Sequence, residues 1–310
     1  MLNKYRPTEF EDVIGHDDIK ATLQTLLKDR VDRPNLLFVG KAGIGKTTLA
    51  MVFSANYNIP KENIQHYNCF HFSGIENLRK TIESVFVPSI FGDGHALILD
   101  EIHGLSRQAQ QELLLPLETL PPTTVIIACT TRLDKVDEAL VSRFIRFDLK
   151  PLSKKQIREL IKKVCDKEGI KLSKEKISLL LKYSEGIPRR VLTGIYRIRD
   201  IENIEDVEYQ LQLSTLKEEG EVFEFAKFLF SASSWDVVKK KLDEVLKETT
   251  ADNVIYSLIN LVITRMLYYQ ADEATINLLD SLAAIPVSSV DMINKANLIV
   301  ALYKYVRSKV

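Results

Sequence analysis

The stretch LFVGKAGIGKTTLA, Leu37 to Ala50, decides the fold. An apolar run stops at Gly40, a glycine-punctuated loop follows, and apolar residues resume after Thr48. Gly40 to Thr47 fits the pattern G-x-x-x-x-G-K-[ST]. Glycines let the main chain close around phosphate oxygens and aim several N–H groups inward. Lys46 adds a point charge for the β- and γ-phosphates, and the Thr47 hydroxyl can ligate Mg²⁺. The helix that starts there offers its positive end to the anion. The expectation is a nucleotide held by Gly40, Gly43, Ile44, Gly45, Lys46, Thr47 and Thr48.

Outward from that loop, short apolar runs read as buried strands: Asn35 to Val39, His95 to Leu99, Thr124 to Cys129 and, more weakly, Phe144 to Phe147. Helical patterns lie between them, so the first part of the chain reads as a parallel sheet covered by helices. The second run ends in Asp100-Glu101, which puts two carboxylates at the carboxyl end of a strand, where such sheets bind ligands. Asp100 is expected to hold Mg²⁺, directly or through water, and Glu101 to orient and polarise the attacking water. Thr131 follows the third run. Its hydroxyl can hold the water or the γ-phosphate from the side, and spacing alone supports a local strand-end hydrogen bond equally well. Arg143 is either a surface arginine or one that reaches a neighbouring subunit's nucleotide. Arg189 falls near a helix start behind Pro188, where a solvent-facing charge is unremarkable.

The rest of the composition excludes more than it assigns. The 310 residues are enough for two or three cores. Lys+Arg and Asp+Glu both number 42, so any surface for a polyanion must be local. The three cysteines, Cys69, Cys129 and Cys165, follow no metal-ligand spacing, which fits a reducing compartment. The start MLNKYRPTEF is neither an apolar signal nor a basic transit segment, and no apolar run is long enough for a membrane span. A cytoplasmic chain is expected.

Beyond residue 150 the pattern turns helical, with helices expected over 154–168, 173–184 and 188–200. The stretch 201–212 reads as a polar linker. From residue 214 onward, Val254, Leu258, Leu261, Val262 and Met266 recur three or four residues apart, as in a helical bundle.

Taken together these segments resemble AAA+ ATPases and, more narrowly, clamp-loader ATPase subunits of the replication machinery. The resemblance rests on Lys4-Tyr5-Arg6-Pro7 with Phe10 to Gly15, on Ser73 to Arg79, and on Leu99 to Ser106 with Leu113 to Pro122. Ser142-Arg143 and Ser184 to Arg189 complete it. It implies an α/β AAA+ domain over 1–150, a helical lid over 151–205 and an all-α collar over 214–310. It also implies that Tyr5, Arg6 and Val13 wrap the adenine and that Thr131 is sensor 1. Arg143 becomes the finger offered in trans, and Arg189 sensor 2 in cis. Arg79 and Lys80 would face DNA, and Ile90 and Phe91 would touch the sliding clamp. The implied cofactors are ATP and Mg²⁺. The implied partners are a sliding clamp, primer–template DNA and other loader subunits, in a hetero-pentamer with several copies of this chain.

The chain departs from that pattern in places. Lys41-Ala42 replaces the usual Pro-Pro in the loop, where the backbone does the binding. Phe144 follows Ser142-Arg143 where relatives have Cys. Leu113-Leu114-Leu115-Pro116 lacks the basic residues that many relatives carry, and zinc-binding cysteines are absent. This reads as a leaner relative, viral or archaeal-like. The rival reading is the Holliday-junction branch-migration motor, which shares the ATPase core. That motor adds a β-hairpin before the third strand and ends in a winged helix. The short span from Glu112 to Val125 leaves little room for the hairpin, and the tail lacks strand signals.

Overall fold

The computed structural model describes residues 2–29, 31, 34–57, 59–71, 75–86, 94–119, 121–218, 221–232, 234–268, 272–285 and 291–308. It divides into two compact units, Met1–Lys171 with Glu185–Thr193, and Leu172–Ser184 with Gly194–Val310.

In chain order the first unit contains α1 (Asp17–Lys28), β1 (Leu36–Val39), α2 (Lys46–Asn56), β2 (Ile64–Asn68) and α3 (Ile75–Ser84). It continues with β3 (Ala96–Asp100), α4 (Arg107–Glu112), α5 (Leu114–Thr119), β4 (Val125–Thr130), α6 (Glu138–Val141), β5 (Ile145–Asp148) and α7 (Lys154–Glu168). The strands form one sheet in the order β2-β3-β4-β1-β5, with every pairing parallel. The three central strands are buried on both faces, which is why they read as unbroken apolar runs. Their residues alternate between two cores. Leu36, Phe38, Ile98 and Ile127 meet α1 and α2 through Leu23, Leu49 and Phe53. Leu37, Leu97, Leu99 and Ile126 meet α3, α4 and α5 through Leu78, Ala109, Leu113 and Leu117. Each such buried aliphatic side chain stabilises the layer by about 1.5–3 kcal/mol.

Strand β2 is absent from the sequence reading. It is an edge strand, and its residues Ile64-Gln65-His66-Tyr67-Asn68 are half-buried or exposed, so they carry no apolar run. Helix α7 begins as its sequence predicts. Ser153 caps it, and Ser153 and Gln156 form a reciprocal capping box.

The second unit is helical throughout its described residues. It contains α8 (Lys174–Tyr183), the end of α9 (Pro188–Ile198), α10 (Ile204–Glu218), α11 (Glu221–Ser231) and α12 (Trp235–Glu248). Helices α13 (Ala251–Tyr268), α14 (Glu273–Ala283) and α15 (Asp291–Ser308) complete it. Leu229, Leu242, Leu258, Leu282 and Leu302 lie in one buried cluster shared by α11 to α15. The stretch 201–212, expected as a linker, instead begins α10. Val207 and Leu211 stand four residues apart and are buried, which anchors the polar first half of the helix. No helix among the described residues is long and apolar enough to cross a membrane.

Candidate active site

Val39 pairs with Thr130, and Leu99 with Ala128, so the carboxyl ends of β1, β3 and β4 lie side by side. This register gathers the loop after β1, the pair Asp100-Glu101 and the pair Thr130-Thr131 at one edge of the sheet. A cavity of about 500 Å³ opens there. Among its lining residues are Gly43, Ile44, Gly45, Lys46, Thr47, Thr48, Asp100, Glu101 and Arg189, together with Tyr5, Arg6 and Val13. Gly40 is not in that lining; its N–H donates to the Thr130 carbonyl at 3.2 Å and fixes the start of the loop.

The loop needs its glycines for two different reasons. Gly43 has φ +74°, and a Cβ there would stand 2.8 Å from Cβ of Arg189. The Arg189 N–H donates to the Gly43 carbonyl at 3.3 Å, so loop and helix start are tied backbone to backbone. Gly45 has φ +119°, and nothing lies within 4 Å of where its Cβ would be. That open space, beside the amino end of the 11-residue α2, fits an anionic oxygen. Lys46 is only 5% exposed. Its ammonium donates to the carbonyls of Gly40 at 2.8 Å and Lys41 at 3.2 Å. Burial pushes its pKa below the ordinary lysine value, while the charges of Glu101 and Asp100 oppose that shift.

The Thr47 hydroxyl donates to Asp100 Oδ2 at 2.8 Å. A hydroxyl and a carboxylate, both hard oxygen donors, make a suitable pair for Mg²⁺, so these residues fit the ion that the sequence implies. Burial is the largest single influence on Asp100 and raises its pKa. The hydrogen bonds from His66 and Thr47, with the charges of His66 and Lys46, outweigh it and hold the carboxyl below its usual range. Glu101 sits in the left-handed region at φ 52°, an unusual conformation for glutamate. Its Oε2 accepts from the Thr131 N–H at 3.0 Å and from the Thr131 hydroxyl at 2.9 Å.

Two histidines join the site without having been singled out in the sequence. His66 Nε2 lies 3.4 Å from Asp100 Oδ2, reaching in from the edge strand. His103 Nδ1 is 2.9 Å from the Thr130 hydroxyl and 3.3 Å from Glu101 Oε2. His103 falls inside the segment Leu99 to Ser106 on which the family resemblance rests. His66 had no signal, because β2 had none.

The other expected residues lie elsewhere. Arg143 is outside the cavity lining; its Nε donates to Glu118 and its Nη1 to the Ala139 carbonyl, both at 2.7 Å. Arg79 is exposed but held in a two-pronged pair with Glu112, Nε at 3.1 Å and Nη2 at 2.7 Å. Lys80 beside it is exposed. Ile90 and Phe91 lie outside the described residues. The segment before α1 is bound to α7: Lys163 pairs with Asp12 at 2.6 Å, and Lys4 and Tyr5 both donate to Glu168.

Residues 36–152 match the family model "ATPase family associated with various cellular activities (AAA)". The replication factor C small subunit of Natronomonas pharaonis is 30% identical over 197 residues, 63% of this chain and 60% of that relative. Replication factor C subunit 4 of Arabidopsis thaliana is 28% identical over 84% of this chain and 81% of its own length. A putative replication factor C small subunit of Acanthamoeba polyphaga mimivirus is 28% identical over 83% and 79%. Against the first of these relatives the chain thus spans three fifths of the length. Among solved structures, the Thermotoga maritima RuvB Holliday junction branch migration motor superposes with a TM-score of 0.57 at 22% identity, over 82% of this chain and 85% of that one. This is a likeness of fold. Residues 36–152 are thus similar to the ATPase domain of the AAA family, and the chain around them is similar in sequence to replication factor C subunits.

Proposed function

We propose that this chain is the ATPase subunit of a sliding-clamp loader, which uses ATP to open a clamp and place it on primer–template DNA. The convergence of Lys46, Thr47, Asp100, Glu101 and Arg189 on one cavity, with Thr131 fixing Glu101, carries the ATPase reading. The relatives named replication factor C carry the loader reading.

The phosphates lie on the loop from Gly40 to Thr48, with Lys46 turned from its two carbonyls to their oxygens. Tyr5, Arg6 and Val13 close on the base. Thr47 and Asp100 would hold Mg²⁺, which would offset the charge of the β- and γ-phosphate oxygens. Thr131 holds Glu101 so that its free oxygen orients a water and takes its proton. Arg189, tied to Gly43, meets the γ-phosphate from the same chain, and Arg143 meets that of a neighbouring subunit. ATP thereby joins adjacent copies into an arc, and its hydrolysis releases them.

DNA contact stimulates the reaction through phosphates, independently of sequence and weakened by salt. Lys80 is the clearer candidate for that contact, since Arg79 is engaged by Glu112. Residues 151–205 serve as lid and 214–310 as collar, and the assembly works in the cytoplasm or wherever the host of a viral chain replicates DNA. The motor reading is the runner-up. The described residues from 204 onward contain helices and no strand, which favours the loader. Native mass spectrometry of the co-expressed complex with ATP tests the choice. Five subunits and DNA-stimulated turnover support the loader, and six subunits overturn it.

A further inference from the structure

We propose that Glu118 is a positioning residue for Arg143, presetting that side chain to reach across to the neighbouring subunit. The proposal rests on the reading of Arg143 as a residue offered in trans. Arginine has five N–H donors on a planar fork at the end of a flexible stem. Left alone at a surface, such a side chain samples many rotamers, and a residue that must meet a neighbour's phosphate loses that freedom on every encounter.

Here the loss is met in advance. Nε donates to Glu118 Oε1 and Nη1 to the Ala139 carbonyl, both at 2.7 Å, so one bond grips each side of the guanidinium. Among the described residues Nη2 donates to nothing, which leaves that corner for an outside acceptor. The two anchors come from different elements. Glu118 is on α5, Ala139 is on α6, and Arg143 follows the C-cap of α6, Ser142. Both elements lie under the core of the sheet through Leu117 and Leu140, so the grip is set by packed structure. Glu118 itself is half-exposed, with 55% of its side chain accessible, and it lies outside the lining of the nucleotide cavity. A carboxylate at that place is not needed to fill the core.

The test is a double-mutant cycle on the assembled complex: wild type, E118A, R143A and E118A/R143A. The expected result is a fall in kcat for E118A of about three- to fivefold, the range that an exposed ion pair can carry. KM and the ATP affinity of each subunit should stay unchanged. R143A should fall much further, and the double variant should match R143A alone. E118Q, which keeps an acceptor oxygen, should recover most of the loss. It provides the same cycle with a smaller step if E118A does not fold. An unchanged kcat in E118A, or a further fall when E118A is added to R143A, overturns the role of Glu118. Full activity in R143A would instead overturn the trans reading of Arg143.

Discussion

Glu101 Oε2 accepts both polar hydrogens of Thr131, the main-chain N–H at 3.0 Å and the hydroxyl at 2.9 Å. Thr131 directly follows β4, and Glu101 directly follows β3. The bond therefore spans the carboxyl ends of two paired strands and ties the orientation of the carboxylate proposed as the base to the sheet. Replacing Thr131 by Ala removes the hydroxyl and leaves the N–H. Turnover should fall by about 10- to 100-fold, within the range for a misplaced general base. ATP affinity should hold, and T131S should restore the rate. Steady-state hydrolysis beside fluorescent-nucleotide binding separates the two. A T131A protein with the wild-type rate would mean that the pairing has no part in the chemistry.

A second prediction concerns the loop. In G43A the new methyl meets Cβ of Arg189 at 2.8 Å, in a left-handed backbone conformation that costs L-residues about 1–2 kcal/mol. The tie between loop and helix α9 must give way, so both the thermal midpoint of the free protein and the affinity for ATP should drop, the latter by about tenfold or more. In G45A the methyl points into open space, at φ +119°. Affinity should drop there too, with a smaller loss of thermal stability. Wild-type affinity in G43A would exclude any coupling between loop and Arg189.

The sheet and its loop were readable in the sequence because burial on both faces leaves unbroken apolar runs. Leu97, Ile98 and Leu99 are each fully buried, and the run stops where Asp100 turns to the cavity. Edge strand β2 left no such mark, and His66 went unnoticed with it. Helix α10 reads as a polar linker because charged and polar residues outnumber the apolar ones over 201–212, and the burial of Val207 and Leu211 comes from the packing of the second unit. Pairings such as Glu118 with Arg143 and Glu112 with Arg79 join residues 25 and 33 positions apart, a relationship that no local pattern encodes.

Acid should destabilise the protein through two histidines. Burial pushes His16 below its ordinary value of 6.5 and does the same to His103, although nearby acidic charges oppose it in both. The fold therefore favours the neutral rings. Their contribution is intact above 6.5, and stability is lost as the pH falls from there toward the lower folded-state values, because the unfolded chain takes up protons first. Urea midpoints should be lower at about pH 5.5 than at about pH 7.5, with a shallower dependence in H16N or H103N. Asp12 and Asp100 do not confuse this window, since both are shifted downward from 3.8. A midpoint that rises on acidification would contradict the burial of the neutral forms.

The most direct measurement is ATP hydrolysis by the E101Q protein in its assembled complex, set beside its binding of ATP. Glutamine keeps the size of the side chain and an acceptor for Thr131, but it cannot take a proton from water. The account predicts undiminished ATP binding and a rate lower by about 100-fold or more. Hydrolysis at the wild-type rate would contradict it.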